Sequence, residues 1–295
     1  MSRAGNKRSA TEAFDKSKMD NRNVKDDTSK PQSPFLSMFE GFRAELDEHH
    51  DRRERVIKAS RDITAASKKI IFSLQRIRTL KKQIPLFVHK ANQQYWETIE
   101  TQYTAISRDV QGINAYRYRS ITGGNQEFIE ALTFQHYLEQ QQLISYEEAK
   151  LRVVKLGSER GEVMLTMDDY VLGVFDMTGE LMRFAITAMA MSGQLPSGDE
   201  ESESIPQRSS KMDTAPQSRN VLTDLRELRA SLEKLDVPYS MNFGRDIGKK
   251  MGVMRNSVEK VENALYGLVV RGSERPKGWM PELTQGSGRE EIEGY

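Results

Sequence analysis

The longest regular feature of the chain is an apolar seam with alternating four-three spacing that begins at Phe35. Its positions are Phe35, Phe39, Phe42, Leu46, Val56, Ile63, Ile70, Leu74, Ile77 and Ile84. Such a heptad pattern is typical of a long helix that packs against other helices. We therefore expect one helix from Phe35 to the neighbourhood of Pro85, where the proline would end it.

Helical periodicity continues along the rest of the chain. A second seam runs from Trp96 to Ile113, and further patterns cover residues 120–142, a short segment after 145, and 167–190, 220–236 and 245–271. Ser145 with Glu148, and Thr166 with Asp169, have the spacing of helix-capping pairs. No segment shows the period-two alternation of a strand, so the sequence predicts an all-α fold of long antiparallel helices.

Composition divides the chain into ordered and disordered parts. Residues 1–33 are polar with almost no apolar clusters, and residues 193–219 are rich in serine, proline and acids. Such segments bury too little apolar surface to fold, so we expect a disordered tail and a mobile linker. The predicted organisation is a single helical domain over residues 34–283, interrupted by that linker, with a flexible tail at 284–295.

Charge and cysteine content exclude several classes of protein. The chain of 295 residues has 44 basic and 43 acidic side chains, a net charge of +1, and no cysteine. Disulfides, zinc–thiolate sites and cysteine nucleophiles are therefore impossible. No apolar run is long enough to span a membrane, and no signal-peptide core is present. These features favour a cytoplasmic and nuclear protein without a membrane partner.

One stretch is strongly basic despite the balanced total. Residues 51–90 contain 12 lysines and arginines against 3 acidic residues, a local net charge of +9. An excess of one sign is suited to contacts with nucleic-acid phosphates. The candidate RNA-binding side chains are Arg61, Lys68, Lys69 and Arg76. The alternative is that they form the solvated face of a long helix.

Two helical patterns carry pairs of acids on otherwise apolar faces. In "YVLGVFDMTGELMRFAI", Asp176 and Glu180 lie one turn apart, and in "QEFIEALTFQHY" the same holds for Glu127 and Glu130. If these helices pack together, four carboxylates converge, and buried carboxylates must be protonated, paired with cations or bound to metal. Magnesium prefers such oxygen ligands. The alternative is that Arg183 neutralises the first pair while the second pair faces water.

Four blocks of the sequence resemble the translin/TRAX family. They are "FRAELDEHHDRRERVIKASRDIT" with "IIFSLQRI", "GGNQEFIEALTFQHYLEQQQLIS", "DDYVLGVFDMTGELMR" and "SVEKVENALYGLVVRGSERPK". The segments "DMTGELMR" and "VENALYGLVVRGSE" are the most specific, because neither is a generic helix pattern. The resemblance implies a seven-helix bundle that joins translin in a hetero-octameric shell enclosing RNA.

The resemblance also implies an activity and its residues. Family complexes are magnesium-dependent endoribonucleases that cleave single-stranded RNA, including passenger-strand fragments in RNA silencing and tRNA-processing fragments. Carried over to this sequence, the catalytic acids and metal ligands are Glu127, Glu130, Asp176 and Glu180, with Mg²⁺ as the cofactor and Mn²⁺ as a possible substitute. The competing hypothesis is a non-catalytic helical scaffold that partners translin and binds nucleic acid without turnover.

Overall fold

The fold is all-α over the residues described by a computed structural model of the chain, which are 33, 35–157, 161–198, 219–238 and 242–271. Its helices are α1 (Leu36–Leu74), α2 (Leu86–Ile106), α3 (Asn114–Arg117), α4 (Thr122–Gln140), α5 (Tyr146–Gly157), α6 (Met167–Ser192), α7 (Val221–Leu232) and α8 (Asn242–Arg271). Within these residues the extended structure is limited to an isolated bridge between Ser197 and Asn220. The prediction of an all-α bundle with seven long helices is confirmed, and α3 adds a single turn.

Long helices that follow one another in the chain run in opposite directions. Arg226 of α7 pairs with Glu262 of α8, whereas Glu233, directly after the end of α7, pairs with Arg255, earlier in α8. Helices α4 and α6 run the same way because α5 returns the chain between them. The predicted antiparallel order thereby places α1, α4, α6 and α8 in a common direction, and these four helices carry the acids and their partners.

The core holds α2 against α4 through aromatic rings. Trp96 and Tyr103 of α2 both contact Phe128 of α4 edge to face, with ring centroids 5.9 and 5.6 Å apart. Each such pair adds about 0.5–1.5 kcal/mol to the burial of its rings. Phe128 is one residue from Glu127, so the aromatic core fixes the helix that carries the first pair of acids.

Both predicted helix caps are confirmed. The Glu148 carboxylate accepts a hydrogen bond from the Ser145 N–H at 3.0 Å, and the Glu148 N–H donates to the Ser145 hydroxyl at 3.2 Å. Thr166 Oγ1 accepts from the Asp169 N–H at 3.1 Å. Each cap stabilises its helix by about 1 kcal/mol, and the second cap fixes where α6 begins and therefore where its acids lie.

The first predicted helix ends earlier than its apolar seam. Helix α1 stops at Leu74, and Ile77, Leu80 and Ile84 are buried in a connection that is not helical. The Lys81 N–H donates to the Leu138 carbonyl, which holds this connection against α4. The prediction of a helix reaching Pro85 is therefore wrong. The connection after α1 is also buried, so its apolar residues continue the regular spacing although the helix has ended.

The chain divides into two units, residues 1–47 and residues 48–295. In the first unit the seam positions Phe35, Phe39, Phe42 and Leu46 are all exposed. The rings of Phe39 and Phe42 contact each other with centroids 6.1 Å apart. An exposed apolar stripe of this kind marks a surface for interaction. The predicted tail at 284–295, the predicted tail at 1–33 apart from residue 33, and most of the predicted linker at 193–219 lie outside the described residues.

Among the helices that the structure describes, none combines the length and apolar character required to cross a bilayer.

Candidate active site

Helices α4 and α6 approach each other closely at a glycine. A Cβ atom added to Gly173 would lie 2.8 Å from the Gln126 carbonyl oxygen and 2.8 Å from Ile129 Cβ. Real Cβ atoms do not approach backbone this closely, so only glycine lets the two helices pack at this distance. Glu130 follows Ile129 on α4, and Asp176 lies three residues beyond Gly173 on α6. The close approach therefore brings the two acid pairs together.

Glu130 lies at the centre of the resulting carboxylate cluster. Burial, and after it the neighbouring carboxylates of Asp176, Glu127 and Glu180, together raise the pKa of Glu130 to about 8. Lys250 opposes this effect only in part. Among the described residues, none donates a hydrogen bond to the Glu130 carboxylate. The three other predicted acids therefore all act on the pKa of Glu130, and the role of the four as catalytic residues or metal ligands stays a prediction.

The other three acids are held by basic or amide groups. Lys68 Nζ of α1 lies 3.2 Å from Glu127 Oε1, and Lys250 of α8 forms an ion pair with Asp176. Glu180 is bound on both oxygens, by the Arg183 guanidinium at 2.9 Å and by Gln75 Nε2 at 2.6 Å. The cluster consequently draws side chains from α1, α4, α6 and α8.

Arg183 has a narrower role than the alternative interpretation gave it. Its guanidinium contacts Glu180, whereas the partner of Asp176 is Lys250. Sequence reasoning missed Lys250, although a signal was present. Lys250 shares one face of α8 with Ile247, Met254, Val258 and Val261, which are all buried. A lysine on such an apolar stripe indicates a buried acidic partner.

The donor set fits a hard divalent cation. Four carboxylates supply the oxygen ligands that magnesium prefers, and the raised pKa of Glu130, caused first by burial and then by its carboxylate neighbours, would fall if a cation were bound beside it. In the conformation described, no three acidic or histidine side chains of the described residues stand close enough together to enclose a metal ion. Binding would therefore require Lys250, Lys68 or Arg183 to release a carboxylate.

Three of the four predicted RNA-binding residues lie on two different faces of α1, and Arg76 lies in the turn that follows its end at Leu74. Lys68 points to the acids, and Arg61, seven residues earlier, shares its face and is exposed. Lys69 instead lies over the Tyr95 ring at 5.2 Å, and Arg76 lies over the Phe87 ring at 6.0 Å. The four side chains thus do not form one patch. Their contact with RNA stays a prediction.

The fold and the site together define the class of this protein: an all-α bundle with a candidate cation site on carboxylates of its parallel helices. Comparison with known sequences gives the family. The chain belongs to the translin family, whose model matches residues 51–272. Translin-associated protein X of Mus musculus is 30% identical over 270 residues, covering 85% of this chain and 84% of that protein. The translin-associated protein X homolog of Schizosaccharomyces pombe is 30% identical over 247 residues, covering 83% and 90%.

Solved structures share the fold. The crystal structure of AfC3PO matches 79% of this chain and 97% of its own with a TM-score of 0.51 at 18% identity. That of apo-NeC3PO matches 79% and 98% with a TM-score of 0.50 at 16% identity. The translin-like bundle expected from the sequence is therefore confirmed.

Proposed function

We propose that this chain is the catalytic subunit of a magnesium-dependent endoribonuclease that assembles with translin and cleaves single-stranded RNA. The observation that carries the proposal is the convergence of Glu127, Asp176 and Glu180 around Glu130, whose pKa is raised to about 8. Family membership and the similarity to translin-associated proteins support the partner. Passenger-strand and tRNA-processing fragments are the RNA substrates that this proposal includes.

Each residue of the cluster has a role in the proposed reaction. Glu127, Glu130, Asp176 and Glu180 would hold the cation, which when bound supplies a Lewis acid and lowers the pKa of a coordinated water. Glu127 and Asp176 have side chains 24% and 35% exposed, against 8% for Glu180, so these two acids are open to an incoming RNA.

The basic residues of the cluster complete the proposed site. Lys68, Lys250 and Arg183 each already contact one of the acids. When a cation replaces them there, their charges become free to attract phosphate oxygens. The same side chains would thus stabilise the acids in the empty site and contact the RNA in the occupied one.

The test uses the complex co-expressed with translin. Single-stranded RNA is incubated with magnesium or with EDTA, and the wild type is compared with Asp176→Asn and with the matched control Asp236→Asn, which changes an exposed acid outside the cluster. We expect metal-dependent cleavage that falls by about 100-fold or more in Asp176→Asn alone. Equal cleavage by both variants would contradict the assignment.

A non-catalytic scaffold is the second candidate, and two observations favour it. Three of the four acids are already paired with basic side chains, as in structural ion-pair networks. The exposed stripe of Phe35, Phe39, Phe42 and Leu46 also provides a surface for a helical partner. This function predicts complexes that bind RNA with no magnesium-dependent turnover, so the same cleavage assay decides between the two.

A further inference from the structure

A cavity of about 290 Å³ lies next to the carboxylate cluster. The helices that supply the acids and Lys250 also line this cavity, one turn nearer their N-termini. Gln126 precedes Glu130 on α4, Leu172 precedes Asp176 on α6, and Asp246 precedes Lys250 on α8, each by four residues. Four residues of an α-helix rise about 6 Å. The cavity is therefore separated from the acids by a step that the sugar and base of one nucleotide can span.

Apolar and aromatic side chains give this cavity faces suited to a flat ring. Tyr116 and Phe243 line it together with Leu172. Tyr116 is largely exposed, whereas Phe243 is half-buried and packs on the core. Aromatic side chains at a nucleic-acid site bind bases by stacking, because every base has a π-face. Its volume suits a single base, being at the lower limit of ligand pockets.

The polar lining of the cavity selects between base and phosphate. Asp168, Asp169 and Asp246 contribute three carboxylates, and among the described residues lining the cavity Arg119 is the one basic side chain. This excess of negative charge repels a phosphate group. Carboxylates accept hydrogen bonds from exocyclic amino groups, which adenine, cytosine and guanine carry and uracil lacks.

We propose that this cavity binds the base of the nucleotide adjoining the scissile phosphate, with a preference for amino-bearing bases over uracil. Phe243 and Tyr116 stack on the base, and Asp246 with Asp168 accepts hydrogen bonds from its amino group. The proposal rests on the proposed nuclease function, because RNA bound for cleavage at the acids would bring its neighbouring nucleotide to this cavity.

The test separates binding from cleavage. Affinities of the translin complex for fluorescent oligo(A), oligo(C) and oligo(U) are measured by anisotropy in EDTA, and cleavage of the same RNAs is measured with magnesium. The variants are Phe243→Ala and Asp246→Asn, with Asp236→Asn as the control. Phe243→Ala should weaken binding of every RNA by about tenfold. Asp246 is exposed, so Asp246→Asn should fold normally while reducing the preference for oligo(A) and oligo(C) over oligo(U).

The outcomes distinguish the two proposals. Variants that bind all three RNAs like Asp236→Asn would overturn the base site even if magnesium-dependent cleavage is strong. A complex that cleaves nothing, yet loses affinity in Phe243→Ala and base preference in Asp246→Asn, would retain the base site and overturn the nuclease. If Phe243→Ala fails to assemble, Asp246→Asn decides alone, and unchanged base preference then contradicts the proposal.

Discussion

Asp224 and Glu130 are both acids packed into the bundle, but their surroundings differ. The Asp224 carboxylate accepts hydrogen bonds from the Tyr137 hydroxyl at 2.7 Å, from Gln141 Nε2 at 2.9 Å and from Arg219 Nε at 2.6 Å. Glu130 has no such donor within the described part of the chain and is surrounded by other carboxylates.

The difference separates a structural acid from a functional one. The hydrogen bonds of Asp224 compensate its burial and join α4 to α7. Glu130 gains nothing comparable from the folded chain. Its pKa is strongly perturbed by burial and by the neighbouring carboxylates, and such perturbed acids are typical of sites that bind a ligand or catalyse a reaction.

The largest expected effect comes from removing the structural acid. Asp224→Ala leaves the Tyr137 hydroxyl and the Gln141 amide without their acceptor in a buried place, which should reduce the free energy of unfolding by about 3 kcal/mol. Urea unfolding of the complex measures this loss. Cleavage per folded complex should remain near the wild-type rate. A loss of cleavage without a loss of stability would contradict the distinction between a structural and a functional acid.

The second prediction concerns how the stability of the complex in EDTA depends on pH. The folded pKa of Glu130, about 8, is above the ordinary value of about 4.3 for glutamate. Between these values the folded state keeps a proton that the unfolded state has lost, so stability should fall as pH rises from 5 to 8, by about 3–4 kcal/mol. Glu130→Gln should remove this fall.

Thermal unfolding at pH 5.5 and pH 8 provides the measurement. Glu100→Gln serves as the control, because Glu100 is exposed and lies outside the cluster. It should show the same pH dependence as the wild type. A wild-type complex whose stability rises over this range by the same amount as Glu130→Gln would count against a protonated Glu130.

The third prediction concerns the approach of the two acid-bearing helices. Gly173→Ala places a Cβ against Gln126 and Ile129, which should cost about 1–2 kcal/mol of stability through overpacking. The helices would also separate by a few tenths of an ångström, so magnesium affinity should fall together with stability. Gly179→Ala is the matched control on α6, because a Cβ there meets no neighbouring atom.

The smallest expected effect distinguishes the two faces of α1. Lys68→Glu places a negative charge beside Glu127 and should weaken RNA binding by a few-fold, with a reduced salt dependence. Lys69→Glu changes the neighbouring face, where Tyr95 holds the lysine, and should have less effect. Anisotropy titrations at two salt concentrations measure both variants, and equal effects would assign RNA contact to both faces.

Periodicity predicted the helices and the family motifs predicted the four acids, because both depend on neighbours close in sequence. The Asp224 network could not be found in this way, since its donors come from positions 137, 141 and 219. The exposed residues from Phe35 to Leu46 show another limit. A heptad seam has the same spacing whether its partner lies in the same chain or in another chain. The role of Lys250 could have been predicted from the sequence, because this lysine interrupts an apolar stripe.

The most direct test of the cation site is the proton released when magnesium binds. Calorimetric titration of the complex at pH 7 in buffers of different ionisation enthalpy gives the number of protons released. Since the pKa of Glu130 is about 8, the wild type should release close to one proton per bound magnesium, and Glu130→Gln should bind more weakly and release none. Magnesium binding with no proton release in the wild type, or with equal release in Glu130→Gln, would contradict the account.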